Sequence, residues 1–127
     1  MTTAAPLPAL LDLARAIRAG DASSRALTEG CLARIQIYNP KVNAFITVMR
    51  DYAMKQAQEL EAEQRAGKFR GPLHGIPIAL KDNIHTTDLP TTGGALAFAG
   101  YRPPYDATLT QNLRDAGAII IAKTGLT

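Results

Sequence analysis

Lys81 is the side chain in this sequence with the clearest chemical potential. It is an amine that follows the apolar run 76–80 and stands directly before Asp82 and Asn83. Burial disfavours the charged form of a lysine, whereas an adjacent carboxylate favours it. A buried strand end and Asp82 would therefore shift the pKa of a lysine in opposite directions. Because strand ends in α/β sheets open onto crevices where ligands bind, a polar cluster at this position has an ordinary reason to be functional, and catalysis is one interpretation. The alternative is an ion pair that caps a strand.

The other reactive side chains are expected to have structural roles. His74 and His85 have no neighbouring cysteine and no metal-ligand spacing, which indicates packing or loop histidines. Ser23 and Ser24 lie between two helical patterns and are expected to cap a helix. The single cysteine, Cys31, lies on the apolar face of a helical pattern and is expected to be a small buried residue. We therefore expect no metal and no cofactor.

The composition of the 127 residues is typical of a globular chain. Hydrophobic residues make up 46% and charged residues 20%, and the net charge is only +3. The basic residues are scattered, aromatic residues are 6% and Trp is absent, which argues against nucleic-acid binding. No apolar run approaches the length of a membrane span, and the first residues lack the pattern of a secretory signal. We therefore expect a cytoplasmic protein without a membrane segment.

The elements that would position Lys81 begin with two amphipathic helices over residues 7–38. Gly20 is expected to end the first, and the second is expected to end before Pro40, since the residue before a proline avoids the helical region. Residues 44–49 are β-branched and aromatic and predict a strand. Residues 51–66 are rich in Ala, Gln, Glu and Lys and predict a mostly exposed helix.

A strand, a helix and a second strand are predicted over residues 76–122. The apolar run before Lys81 and the run 118–122 read as buried strands. Between them, Asp106 or Thr108 is expected to cap a helix. This order gives a right-handed parallel crossover, so the predicted fold class is α/β, with helices covering a sheet.

Several motifs then stand in a characteristic order. The segment 71–83 reads GPLHGIPIALKDN. Around it lie the helix pair, NPKVNAF at 39–45, TTGG at 91–94 and AGAIIIAKT at 116–124. Over most of the chain this order resembles the amidase-signature enzymes.

The resemblance implies a mixed sheet covered by helices, with residues 1–127 forming the amino-terminal part of a single domain. It also implies a Ser-cisSer-Lys triad that hydrolyses the C–N bond of a carboxamide, in which Lys81 is the base. Both serines and the glycine-rich oxyanion loop are expected downstream of Thr124, so the 127 residues are expected to be inactive alone. Ala95 and Gly125 stand where the family often has serine and asparagine.

Three functional interpretations remain open from the sequence. The first is the lysine-bearing portion of an amidase that acts on a small-molecule amide, as a possible homodimer or with a missing carboxy-terminal portion. The second is a non-catalytic fragment that binds a partner chain, for which an unpaired strand at 118–122 would offer an exposed edge. The third is part of a glutamyl-tRNA amidotransferase A subunit, which releases ammonia from glutamine.

Overall fold

A computed structural model describes residues 6–126 of the chain, which contain four α-helices and three β-strands. The order of elements follows the sequence prediction from the helix pair to the closing strand. A 3₁₀ turn, Leu96–Phe98, lies in the long loop between the second strand and the last helix. In chain order the elements are α1 Leu10–Ala19, α2 Ser24–Val42, β1 Phe45–Val48, α3 Arg50–Arg65, β2 Pro77–Lys81, α4 Thr108–Asp115 and β3 Ile119–Thr124.

The three strands form one mixed sheet in the order β1-β3-β2. The central strand β3 pairs antiparallel with β1 and parallel with β2, and α4 makes the connection between the two parallel strands. The α/β class and the parallel pair are thus confirmed. The expectation that residues 118–122 offer an unpaired edge is wrong, because β3 has a hydrogen-bonded neighbour on each side. Within residues 6–126, the two edge strands are β1 and β2.

Apolar side chains of β3 contribute to a core on each face of the sheet. On one face Ile119 and Ile121 pack with α2 and α3, while on the other Ile120 packs with Leu80 and Leu89. This alternation follows from the two-residue period of a strand. None of the helices within residues 6–126 combines the length and the apolar character that a bilayer crossing requires. The assignment of residues 1–127 to one domain stays a prediction.

The junction between α1 and α2 follows the predicted signals. Gly20 adopts a left-handed conformation with φ of 81° directly after α1. The Ser23 hydroxyl accepts a hydrogen bond of 3.1 Å from the Ala26 amide and so caps α2. Ser24, in contrast, is buried, and its hydroxyl donates to the Gly75 carbonyl at 3.0 Å.

The end of α2 differs from the prediction, because the helix continues through Pro40 to Val42. A proline in the last turn removes a single amide donor, which is a small loss so close to a helix end. The Asn43 amide donates to the Asn39 carbonyl at 2.7 Å, and the Asn39 side chain accepts from the Phe45 amide at 2.9 Å. These two bonds hold the additional turn and the start of β1.

The cap of α4 also differs from the prediction. The N-cap residue is Ala107, which provides no side-chain hydrogen bond, so neither Asp106 nor Thr108 caps the helix. The Asp106 carboxylate instead accepts from the Thr87 amide at 2.8 Å and from Arg114 at 3.0 Å. Because the Asp106 carboxylate is bound to Thr87 and Arg114, it does not cap the helix.

We expect Gly117→Ala to destabilise the fold strongly. Gly117 has φ of +92°, and an added Cβ would lie 2.6 Å from the backbone Cα of His74, so strain and a backbone clash combine. The expected loss is about 3 kcal/mol or more. Gly67→Ala is the matched control, because Gly67 has φ of +73° with nothing within 4 Å of an added Cβ. It should lose about 1–2 kcal/mol. Urea unfolding measures both, and equal losses would contradict the clash.

Candidate functional site

Lys81 is the last residue of β2, and the backbone around it is held on both sides. Its carbonyl accepts from the Ile84 amide at 3.0 Å, and the amide of Asp82 donates to the Thr124 carbonyl at 3.0 Å. Lys81 is also the register partner of Thr124, the last residue of β3. The position of the Lys81 Cα is therefore fixed by the end of the parallel pair.

The side chain of Lys81 is exposed among the described residues. The burial considered for this amine from the sequence is therefore not provided by residues 6–126. The reason lies in the sheet order, since β2 is an edge strand and α3 packs on the central strand β3. Ala79, two residues earlier on the same face, is exposed as well.

The buried amine is that of Lys123 in β3, which has an exposed fraction of 0%. Its Nζ donates to the hydroxyls of Thr86 and Thr91 at 3.2 and 2.9 Å and to the Pro90 carbonyl at 3.2 Å. It also lies 3.5 Å from the Asp82 carboxylate. The three donors of an ammonium group are thereby used. Burial lowers the pKa of Lys123, and the negative charge of Asp82 opposes that shift.

Asp82 connects the end of β2 to the loop that follows it. Its carboxylate, which is fully buried, accepts from the amide of Thr92 at 3.2 Å and from the Thr92 hydroxyl, while the other oxygen faces Lys123. The Asp82 carbonyl accepts from the Gly93 amide at 2.9 Å. Asp82 is thus bound to Lys123 and Thr92, neither of which was an expected partner.

In the sequence, Lys123 stands out only as part of the closing motif 116–124, and no role is predicted for it. One physical signal could have found it: a charged side chain directly after the apolar run 118–122 needs a partner if the strand is buried. Hydroxyl-bearing residues at 86, 87, 91 and 92 were available to surround it.

The histidines have the packing roles expected for them. His74 is buried, with Nδ1 accepting from the Arg70 amide at 3.0 Å and Nε2 lying 2.8 Å from the Leu60 carbonyl. His85 packs edge-on against Tyr105, with ring centroids 5.3 Å apart. Among residues 6–126 there is no group of three His, Cys, Asp or Glu side chains that could hold a metal ion.

Arg114 of α4 holds the loop after β2 to the rest of the fold. Its guanidinium contacts the carboxylates of Asp88 at 2.6 Å and Asp106 at 3.0 Å, and it donates to the Tyr52 hydroxyl at 3.1 Å. Burial and then the nearby Asp88 raise the pKa of Tyr52 to about 12. The loop that carries the threonines around Lys123 is thus tied to both α3 and α4.

This mixed sheet with helices on its faces matches solved amidase structures. The chain superposes on the peptide amidase from Stenotrophomonas maltophilia with a TM-score of 0.86 and 44% identity, covering 92% of this chain and 24% of that one. It superposes on a fatty acid amide hydrolase with a TM-score of 0.87 and 30% identity, covering 94% and 21%. The fold class is therefore an amidase-signature type of sheet, of which these residues form a part.

Sequence comparisons agree with the structural ones. The A subunit of the glutamyl-tRNA(Gln) amidotransferase from Chloroflexus aurantiacus is 44% identical over 108 residues, which are 85% of this chain and 22% of the relative. The same subunit from Thermobifida fusca is 42% identical over 115 residues, 91% of this chain and 23% of the relative. The chain thus spans less than a quarter of these relatives. The Amidase family model matches residues 26–127, and the chain belongs to that family.

We expect Tyr52 to keep its proton up to about pH 12 in the folded chain. Its pKa is higher when folded than its ordinary value of 10, so the folded state binds more protons in that interval. The stability from this group is therefore complete below pH 10 and lost as the pH rises through about 12. Phenolate absorbance of the native chain and of Tyr52→Phe measures this. A late-titrating tyrosine that persists in Tyr52→Phe would contradict the assignment.

Proposed function

We propose that this chain provides the lysine-bearing portion of a hydrolase that cleaves the C–N bond of a carboxamide, with Lys81 as the catalytic base. Membership of the Amidase family supports this proposal. The activity, substrate and partners belong to a protein of the length of its relatives, of which this chain spans less than a quarter.

The observation that carries the proposal is the pairing of Lys81 with Thr124. Neighbouring strands lie about 4.8 Å apart, so residues that follow β3 start beside Lys81. The Gly125 amide donates to the Ala44 carbonyl at 2.8 Å, so this residue lies beside the start of β1, on the side of β3 away from β2. It is the pairing with Thr124 that supports a short connection from the segment after β3 to the Lys81 amine.

The proposed reaction begins with a proton transfer to the unprotonated Lys81 amine through a relay serine. The second serine, which loses its proton, attacks the amide carbon, and the C–N bond then breaks as the departing nitrogen takes the proton back. Water hydrolyses the resulting acyl-enzyme and releases the carboxylic acid. We place both serines in the segment after Thr124, as the family resemblance implies.

An unprotonated amine is favoured by a site that excludes water. Because Lys81 is exposed among residues 6–126, we propose that residues outside this range cover it in the active protein. The 127 residues alone are then inactive. We also propose a cytoplasmic location.

Two amide classes are candidate substrates. The peptide amidase from Stenotrophomonas and the amidotransferase relative from Chloroflexus are each 44% identical to this chain. The identities therefore favour neither a peptide carboxamide nor the side-chain amide of glutamine. Turnover of the full-length protein with a peptide carboxamide and with glutamine, each assayed as released ammonia, separates the two candidates.

We expect Lys81→Ala in the full-length protein to lower kcat/KM about 10²–10⁴-fold, because the serine loses its proton acceptor. Lys55→Ala is the matched control, since Lys55 is an exposed lysine on α3. It should keep the parent rate. Steady-state kinetics with the better amide measure both variants, and undiminished turnover by Lys81→Ala would overturn the assignment of the base.

A further inference from the structure

We propose that Asp82 and Lys123 are positioning residues that aim the Lys81 amine at the reacting groups. This inference rests on the proposed function, in which Lys81 is the base. It adds to that function a second lysine and a carboxylate that make no contact with substrate. Both side chains are fully buried, with exposed fractions of 0%.

The first step of the argument is the place of Asp82 in the chain. It follows Lys81 directly, and each of its polar groups except one carboxylate oxygen has a hydrogen-bond partner. The amide donates to Thr124 in β3, the carbonyl accepts from Gly93, and one carboxylate oxygen accepts from Thr92. Asp82 therefore ties the residue after Lys81 to both β3 and the returning loop.

The second step concerns the remaining oxygen of Asp82. It is buried without a hydrogen-bond partner, and the group that balances its charge is the Lys123 amine at 3.5 Å. A buried carboxylate that loses its counter-ion is costly and will move toward another cation or toward water. The other cation adjacent to it in sequence is Lys81.

The third step follows from the faces of the sheet. Lys123 is the register partner of Leu80, whereas Lys81 is the register partner of Thr124. Since successive side chains of a strand point to opposite faces, Lys123 and Lys81 lie on opposite sides of the sheet. The ion pair with Lys123 thus holds the Asp82 carboxylate away from the face that carries Lys81.

The consequence for catalysis is geometric. With Asp82 bound to Lys123, the Lys81 amine has no adjacent carboxylate on its own face and can point toward the segment after Thr124. Displacement of a catalytic group by about 1 Å can cost on the order of 10²-fold in rate. A purely stabilising ion pair would have no such effect on the rate of the folded enzyme.

The test uses the full-length protein with Asp82→Asn, Lys123→Met and the double variant. Asp82→Asn keeps the shape and the contact with Thr92 but removes the charge, so the buried Lys123 ammonium loses its counter-ion and residue 82 loses its side-chain tie to β3. We expect each single variant to lower kcat about 10- to 100-fold with little change in KM. The double variant leaves no unbalanced charge, so its kcat should exceed that of Lys123→Met by about tenfold.

Asp106→Asn is the matched control for loss of stability. Asp106 forms a partly buried ion pair with Arg114 at the far end of the same loop and has no contact with Asp82 or Lys123. Thermal unfolding is measured for every variant, and kinetics are recorded well below each midpoint. If Lys123→Met cannot be obtained as a folded protein, the comparison of kcat between Asp82→Asn and Asp106→Asn decides the test.

The outcomes separate this inference from the proposed function. Full activity of Lys81→Ala, measured beside the other variants, would refute the proposed function. If Lys81→Ala is inactive while Asp82→Asn and Lys123→Met retain kcat, or lose only as much as Asp106→Asn, the positioning role alone is refuted. Loss of kcat in the single variants with recovery in the double variant supports it.

Discussion

The charge of Lys123 in the central strand is the constraint on which the site depends. An ammonium group in a dry interior must be surrounded by oxygen atoms, because its desolvation is otherwise too costly. The chain meets this requirement by folding residues 82–91 around one nitrogen, with a carboxylate, two hydroxyls and a carbonyl within 3.5 Å. The path of the loop after β2 follows from this requirement.

A pair of apolar residues could fill the same space with equal or greater stability. What it could not do is specify which loop atoms approach β3, since apolar contacts have no direction. Hydrogen bonds from Lys123 select Thr86 and Thr91, and Asp82 selects Thr92. These directional bonds therefore specify which atoms of the loop lie against β3.

Periodicity was sufficient to predict that the helices and strands exist, and for α3 and β3 the apolar residues it identified lie in the core. The predicted helix ends were wrong where a tertiary or neighbouring contact outweighed a local sequence preference. Pro40 did not end α2, because bonds from Asn39 and Asn43 supported another turn, and Asp106 did not cap α4, because Arg114 was nearby. The contacts of Lys123 join residues more than 30 positions apart, which local patterns do not report.

The sequence has a lysine at the end of each of two apolar runs, Lys81 and Lys123. The order of the strands determines which of the two is buried. The amine in the central strand is covered on both sides and has its three donors committed to oxygen atoms. For Lys123 to act as a base it would have to leave these partners and abandon Asp82. Lys81, on an edge strand, has a fixed backbone and an accessible side chain. An amine that is to accept a proton from a serine in a later segment needs that combination, which is why Lys81, and not the buried Lys123, is the candidate base.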